Sequence, residues 1–329
     1  MCHDITQIIK DETKDAIFRK GHVVTQEDIP VLLSLGKDHL YVWEKQEGML
    51  HENEAAEILY NICKNEYMSP TLVKEGKIDL IAEAGGLFKV DVGRLNALNA
   101  LDGIVIATRH TNTPVQKGDK LAGTRVVPLV IEQEKMDRAR EIAGAEPLLK
   151  ILPFGPKKAS LVITGNEVYY GRIQDTFSPV IRSKLAEFGV KILSQTLMRD
   201  NPADITRTIR EAIAQGAQMV ICTGGMSVDP DDTTPTAIRN TGARLVTYGA
   251  PVLPGAMFLL AYWEEDGRSV PILGLPGCVM YAKRTVFDLV LPRILADDIL
   301  TKEDIARLGH GGLCLGCETC VYPNCGFGK

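Results

Sequence analysis

The sequence lacks any run of about 18 apolar residues, the length that a helix needs to cross a bilayer, so no membrane span is expected. It also lacks a secretion signal, because the N-terminal stretch MCHDITQIIKDETKD is polar and contains no apolar central segment. Positive charge is not in excess: the formal net charge is −5, which argues against broad nucleic-acid binding. We therefore expect a cytoplasmic protein that holds any anionic ligand locally, through loop amides, helix ends or a metal ion.

The composition is that of a globular protein, with 45% hydrophobic and 24% charged residues among 329. At roughly 150 residues per domain, this length predicts two domains with a small appendage. We expect an N-terminal α+β region with a small β-barrel-like part over residues 1–150. An α/β domain over 155–300 and a cysteine-rich tail over 305–329 are expected to follow.

Strand and helix patterns alternate regularly from Ala159 onward. Short, β-branched apolar stretches at 159–164, 190–198 and 217–223 predict strands. Between them, residues 178–189 and 200–216 have helical spacing of their apolar positions and end at glycines. This alternation predicts an open, mainly parallel sheet with helices on both faces. Further on, FLLAYW and SVPILGL flank EEDGR as a hairpin, and a helix is expected over 279–296.

The N-terminal region has a different pattern. One amphipathic helix is expected around Ala55, Ile58, Leu59 and Ile62, which share one face. Short strands are expected around it, at residues 4–10, 20–24, 38–44, 86–92, 103–110 and 121–134. A linker is expected over 145–158.

Two glycine loops follow predicted strands, TGNEVYYGRIQD at 164–175 and TGGMSVDPDD at 223–232. Ligands collect at the carboxyl ends of the strands in such sheets, and glycines allow the backbone to approach a ligand closely. The carboxylates in these loops could cap helices or face water. Alternatively, they could hold a Mg²⁺ ion, which binds one or two carboxylates together with substrate phosphate oxygens.

These motifs, with GLPG before an amphipathic helix, resemble the molybdopterin-binding domain of molybdenum cofactor biosynthesis proteins over about 159–296. The overall layout is similar to that of molybdopterin molybdotransferases. The resemblance implies a three-layer α/β/α domain that binds molybdopterin or its adenylylated form. It further implies a Mg²⁺-dependent reaction that hydrolyses the adenylylated form and inserts molybdate, in a homodimer.

The resemblance also implies roles for individual residues. Asp232 would organise Mg²⁺ and the pyrophosphate as a catalytic acid, and Asp175 would act on the nucleotide side. The remaining ligand-binding positions would be Thr164, Gly165, Asn166, Glu167, Thr223, Gly224, Gly225, Ser227, Asp231, Pro276 and Gly277.

The C-terminal tail carries four closely spaced cysteines, Cys314, Cys317, Cys320 and Cys325, in the pattern C-x2-C-x2-C-x4-C. Four such thiolates can hold Zn²⁺ or an iron–sulfur cluster. Disulfides or free thiols are the alternative, although a reducing compartment disfavours disulfides.

Two departures from the molybdotransferase pattern keep a second function open. A stretch of the type Asp-Asn-Ser-x-Met-Asp-Gly is missing from the N-terminal region, and the loop at Pro276-Gly277-Cys278 lacks the Asn-Pro that normally follows Pro-Gly. Both favour a non-catalytic molybdopterin-binding sensor or carrier, whereas the complete TGG…DD loop favours the enzyme. A related α/β nucleotide pyrophosphatase is the third possibility.

Overall fold

The computed structural model describes residues 5–9, 13–19, 21–40, 46–155, 157–227 and 232–329. The chain divides into two compact units. The first comprises Met1–Ala84, Phe88–Thr111 and Val115–Ile151, and the second comprises Gly85–Leu87, Asn112–Pro114 and Leu152–Lys329.

The part of the chain up to residue 153 is a mixture of short strands and helices. Its described strands are β1 Ile5–Ile9, β2 Thr13–Phe18, β3 Met49–His51, β4 Met68–Pro70, β5 Lys77–Ala82, β6 Gly86–Val90, β7 Ile104–Thr108, β8 Thr113–Val115, β9 Lys120–Val126, β10 Val130–Glu132 and β11 Leu149–Pro153. Its described helices are α1 Ile29–Ser34, α2 Glu52–Cys63, α3 Val92–Asn99 and α4 Gln133–Ala143.

The first unit is built around α2 and an antiparallel sheet of order β4-β5-β9-β7. Helix α2 buries Ala55 and Leu59 completely, while Ile58 and Ile62 pack against the same core from its edge. The face predicted from the spacing is thus the face that packs. The strands described here do not confirm a barrel.

The second unit contains a six-stranded sheet flanked by helices. Its described elements are β12 Lys158–Thr164, α5 Asn166–Tyr169, α6 Phe177–Ala186, β13 Lys191–Met198, α7 Pro202–Ala214, β14 Met219–Thr223, α8 Thr234–Asn240, β15 Arg244–Tyr248, β16 Leu259–Glu265, β17 Arg268–Leu275, α9 Val286–Leu295 and α10 Lys302–Arg307. The prediction of an α/β domain is confirmed.

The sheet of the second unit has the order β13-β12-β14-β17-β16-β15 and is mixed. The pairs β12–β13, β12–β14 and β14–β17 are parallel, whereas β16 pairs antiparallel with both β15 and β17. The chain leaves β12 toward β13 on one side and returns to β14 on the other. Strand order therefore reverses at β12, and a crevice opens at such a point beyond the carboxyl ends of the strands.

Side chains of β12 alternate between two hydrophobic clusters, as the two-residue period of a strand requires. Leu161 and Ile163 join the cluster that contains Ile181 of α6 and Phe287 of α9. Val162, which points the other way, joins Ile205, Ile209 and Ile213 of α7. Because both faces of the strand are buried, its sequence is a continuous apolar run rather than an alternating one.

Several predicted boundaries are wrong, each for a local reason. The helix expected over 279–296 begins only at Val286, because Thr285 caps its first turn and Asp288 accepts a hydrogen bond from the Thr285 amide at 2.7 Å. Residues 277–280 form a separate single turn. Helix α8 has Thr233 as its N-cap and Pro235 in its first turn.

Other differences concern the N-terminal region. The segment expected to be a linker contains β11, whose Leu149 and Ile151 are buried. Helices α3 and α4 were not predicted: each begins at the end of a stretch expected to be a strand and continues into residues for which no element was expected. Residues 21–24 form a turn and irregular chain instead of a strand, while much of the strand expected at 38–44 falls outside the described residues.

In the part of the chain that the structure describes, no helix combines the length and the apolar character needed to cross a membrane.

Candidate functional site

The two predicted glycine loops lie side by side, because the strands that they follow, β12 and β14, are neighbours in the sheet. Gly224 has a φ of +85°, and a Cβ at this position would collide with the carbonyl oxygen of Thr164. The Thr164 hydroxyl is hydrogen bonded to that of Thr234 at 3.1 Å between the oxygens. The first loop and both ends of the second are therefore held together directly.

A third loop, after β13, brings Asp200 into the same place. One carboxylate oxygen of Asp200 accepts a hydrogen bond from the Asn166 amide at 2.9 Å. The other lies 3.6 Å from where a Cβ on Gly225 would stand. Sequence reasoning missed Asp200 because DNPAD reads as the start of a helix. One feature of the sequence could have identified Asp200 as a site residue: like the two glycine loops, it directly follows a strand that was predicted to be parallel.

Asp232 lies at the end of the second loop and is hydrogen bonded to the part of that loop that the structure describes. Its Oδ2 accepts a hydrogen bond from the Ser227 amide at 2.6 Å. The Tyr248 hydroxyl donates to the carbonyl oxygens of Met226 and Ser227, both at 3.2 Å. Burial, and after it the nearby Asp232 carboxylate, raises the pKa of Tyr248. Asp231, predicted as a ligand-binding residue, lies outside the described residues.

Asp175 makes the contacts of a helix cap. Its Oδ1 accepts hydrogen bonds from the Phe177 and Ser178 amides, both at 3.0 Å. Its Oδ2 accepts one from the Ser178 hydroxyl. The carboxylate is thus engaged by the first turn of α6, and its catalytic role stays a prediction.

The remaining predicted positions lie around these loops. Glu167 is exposed, and its carboxylate lies against Gly165, whose φ is +142°. The loop after β17 adds buried Pro276 and exposed Gly277. Thr176 donates a hydrogen bond to the Met280 sulfur at 3.0 Å, which joins this loop to the first.

Unsatisfied polar atoms concentrate in these loops. Within the described residues, six buried side-chain oxygens have no hydrogen-bond partner, and three of them are Thr223 Oγ1, Thr233 Oγ1 and Asp200 Oδ1. Leaving such a group unpaired costs about 1–3 kcal/mol. A hydroxyl can donate to a phosphate oxygen, and a carboxylate oxygen can bind a cation. These residues therefore fit a phosphate-bearing ligand with an associated divalent cation.

The predicted four-cysteine metal site is not formed in this structure. Among the described residues, no three His, Cys, Asp or Glu side chains are grouped so that they could hold a metal ion. Cys314 and Cys325 pack against the core of the second unit, whereas Cys317 and Cys320 are exposed. The tail is anchored by Tyr322, whose hydroxyl donates to the Asp288 carbonyl oxygen at 2.9 Å. This anchoring turns half of the thiols inward and leaves the others in water.

Thiol reactivity should follow this arrangement. With iodoacetamide at pH 8, we expect Cys317 and Cys320 to be alkylated in the native protein. Cys63 and Cys222 should react only after unfolding, because burial raises the pKa of each to about 12 and the thiolate is the reacting form. Mass spectrometry of tryptic peptides measures the order. The outcome that would contradict the structure is that all four tail cysteines resist alkylation until a chelator is added. That result would support the Zn²⁺ or iron–sulfur site.

Residues 160–296 match the family described as a probable molybdopterin binding domain. This match covers the second-unit sheet and all the loops described above. Residues 1–44 match a domain of unknown function.

Curated relatives and solved structures share only part of this chain. A CinA-like protein of Mycobacterium sp. (strain MCS) is 38% identical over 90 residues, which are 27% of this chain and 21% of the relative. A CinA-like protein of Mycobacterium tuberculosis (strain ATCC 25618 / H37Rv) is 39% identical over 90 residues, which are again 27% of this chain and 21% of the relative. The chain thus spans about a fifth of the length of the curated relatives that it matches.

Two solved structures show weak likeness. The tungsten cofactor synthesizing protein MoaB from Pyrococcus furiosus has a TM-score of 0.34 and 16% identity, covering 43% of this chain and 89% of that one. The protein CinA from Thermoplasma acidophilum, of unknown function, has a TM-score of 0.35 and 18% identity, covering 42% and 98%. Likeness of this degree supports no conclusion about function.

Proposed function

We propose that the second unit binds molybdopterin or adenylylated molybdopterin at the carboxyl ends of β12, β13, β14 and β17. The observation that carries the proposal is the group of three buried oxygens that have no hydrogen-bond partner among the described residues, at the point where strand order reverses. The match of residues 160–296 to the molybdopterin-binding family supports the same ligand. It makes a phosphate-bearing pterin the first candidate among phosphate ligands.

Different loops would bind different parts of the ligand. The Thr223 hydroxyl would donate to a phosphate oxygen, with Gly224 and Gly225 leaving room for the ligand beside it. Asp200 and Asp232 would hold Mg²⁺, which supplies charge neutralisation at the diphosphate when bound. Ser227, whose amide is held by Asp232, would border the same phosphate. In this arrangement each carboxylate would bind the cation rather than the anion.

As an enzyme, the protein would insert molybdate into molybdopterin after the adenylylated form is hydrolysed. In this role Asp232 would orient the reacting phosphate group, since its carboxylate also holds the Ser227 amide. The homodimer that the family resemblance implies stays a prediction.

A sensor or carrier that binds the pterin without turnover is the second candidate. It is favoured by the sequence Leu275-Pro276-Gly277-Cys278-Val279, which has no Asn-Pro after its Pro-Gly. The Mg²⁺-dependent turnover of adenylylated molybdopterin separates the two candidates.

The binding proposal is tested by removing one hydroxyl. Thr223→Val keeps the shape of the side chain, and we expect it to weaken molybdopterin binding by about ten- to a hundredfold, since a hydrogen bond to a charged group contributes about 1.5–3 kcal/mol. Equilibrium titration measures the affinity. The matched control is Thr113→Val, which removes another buried hydroxyl that has no partner among the described residues but lies in β8. Equal affinity in wild type and both variants would contradict the proposal.

A further inference from the structure

Two adjacent tyrosines next to the first glycine loop are exposed to solvent. Tyr169 and Tyr170 have 45% and 56% of their surfaces exposed. Their ring centroids are 5.2 Å apart and the ring planes meet at 83°. We call these two residues the tyrosine shelf. Exposed aromatic surface of this kind is costly in water, and in proteins it commonly marks a binding position.

Two arginines flank the tyrosine shelf. The guanidinium carbon of Arg172 is 5.4 Å from the Tyr170 ring centroid, and that of Arg199 is 5.9 Å from the Tyr169 centroid. Both distances are within the range of cation–π attraction. The shelf therefore combines aromatic faces with positive charge, which suits a planar ring that carries a negatively charged group.

The shelf is joined rigidly to the strand-end loops. The Tyr169 amide donates to the Gly165 carbonyl oxygen at 2.9 Å, and the Tyr170 amide donates to that of Asn166 at 3.0 Å. Asn166 is in turn hydrogen bonded to Asp200. The shelf lies about one helical turn, or roughly 5 Å of rise, from the glycine turn. A phosphate bound near Thr223 and Gly224 could thus extend its attached ring toward the tyrosines.

We propose that the tyrosine shelf, with Arg172 and Arg199, binds the fused nitrogen ring of a phosphate-bearing ligand by stacking. This inference rests on the proposed function, because it requires the phosphate to be bound by the strand-end loops. The shared chemistry is a flat, bicyclic, nitrogen-rich ring, as found in both a purine nucleotide and a pterin. Stacking on an aromatic side chain tolerates either ring, because each presents a π face.

The test compares phosphate ligands with and without a fused aromatic nitrogen ring. Titrations would use AMP, 6-hydroxymethylpterin phosphate and ribose 5-phosphate, each with Mg²⁺, against the full chain. In the double variant Tyr169→Leu/Tyr170→Leu we expect the affinity for at least one ring-bearing ligand to fall about tenfold, in keeping with measured base stacking. The affinity for ribose 5-phosphate should stay within about twofold of wild type, a shift of about 0.4 kcal/mol or less. Tyr169→Phe/Tyr170→Phe should retain the ring affinity.

Controls separate this inference from the proposed function. Tyr67→Leu removes a partly exposed tyrosine of the first unit and should leave all three affinities unchanged. Circular dichroism checks that each variant folds. A loss for AMP alone, for the pterin alone or for both supports the shelf and identifies the ring that it accepts. Wild-type binding that the Leu double variant leaves intact overturns the inference alone. If the wild type binds none of the three ligands, the inference and the proposed function both fail.

Discussion

Replacing Asp232 by alanine is expected to abolish the Mg²⁺-dependent turnover of adenylylated molybdopterin while leaving pterin affinity within about tenfold, or about 1.4 kcal/mol. The rate should fall by a factor of about 10²–10³, the usual consequence of removing one group that stabilises charge in the transition state. The physical reason is twofold: the variant would lose the proposed Mg²⁺ ligand, and it loses the acceptor that holds the Ser227 amide. Product formation over time and pterin titration measure the two effects.

Two further variants show which part of this effect is electrostatic. Asp232→Asn keeps a side-chain oxygen that can accept the Ser227 hydrogen bond but removes the negative charge, so its turnover should also be lost. Glu211→Ala, on the exposed surface of α7, removes one carboxylate elsewhere in the same unit and should leave turnover unchanged. A wild type that binds the pterin without turnover would favour the sensor or carrier.

The second large effect is expected at Asp288, whose replacement by alanine should destabilise the second unit by about 3–5 kcal/mol. Asp288 and Lys184 form an ion pair of 2.6 Å in which only 3% and 8% of the respective side chains are exposed. Arg284 pairs with the same carboxylate at 2.8 Å. Removing the carboxylate leaves the buried ammonium group of Lys184 without its counter-charge. The free energy of burying this uncompensated charge accounts for most of the expected loss of stability.

Urea unfolding followed by Trp263 fluorescence measures this loss in the second unit. The measurement uses a Trp43→Phe background, because the chain has two tryptophans. Asp204→Ala is the control, since Asp204 pairs at 2.7 Å with an Arg207 that is 64% exposed. A surface pair contributes about 0–1 kcal/mol. Equal midpoints for the two variants would show that burial of the Asp288 pair contributes nothing.

The helices and strands of the second unit could be predicted because local signals agree there. Helix α7 has Asn201 as a cap, Pro202 in its first turn and isoleucines at four-residue spacing, all of which the structure uses. The start of helix α9 was predicted seven residues too early, because apolar residues of the preceding single turn precede its own apolar residues in the sequence. Its start depends on Thr285 and Asp288, which act through side-chain geometry that periodicity does not reveal.

The candidate site also contains residues that local sequence patterns predict and residues that they do not. The glycine loops could be predicted from the strands that precede them, since the position of a loop after a strand is a local property. Asp200 was missed because it belongs to a different loop, 34 residues from Asn166 along the chain, and only pairing of β12 with β13 brings the two together. The cysteine tail differs from its prediction in the opposite way: the close spacing predicted a metal site, whereas the described residues show no group of side chains that could hold a metal ion.

The sequence by itself determined the α/β alternation, the glycine turns and the acidic residues beside them, because each depends on neighbours along the chain. Only the tertiary structure decided which side chains meet. Strand order placed the loops after β12, β13 and β14 next to one another. Burial then removed water from Thr223, Thr233 and Asp200 and left their oxygens without partners among the described residues. Such contacts join residues distant in sequence, so they appear only when the sheet is assembled.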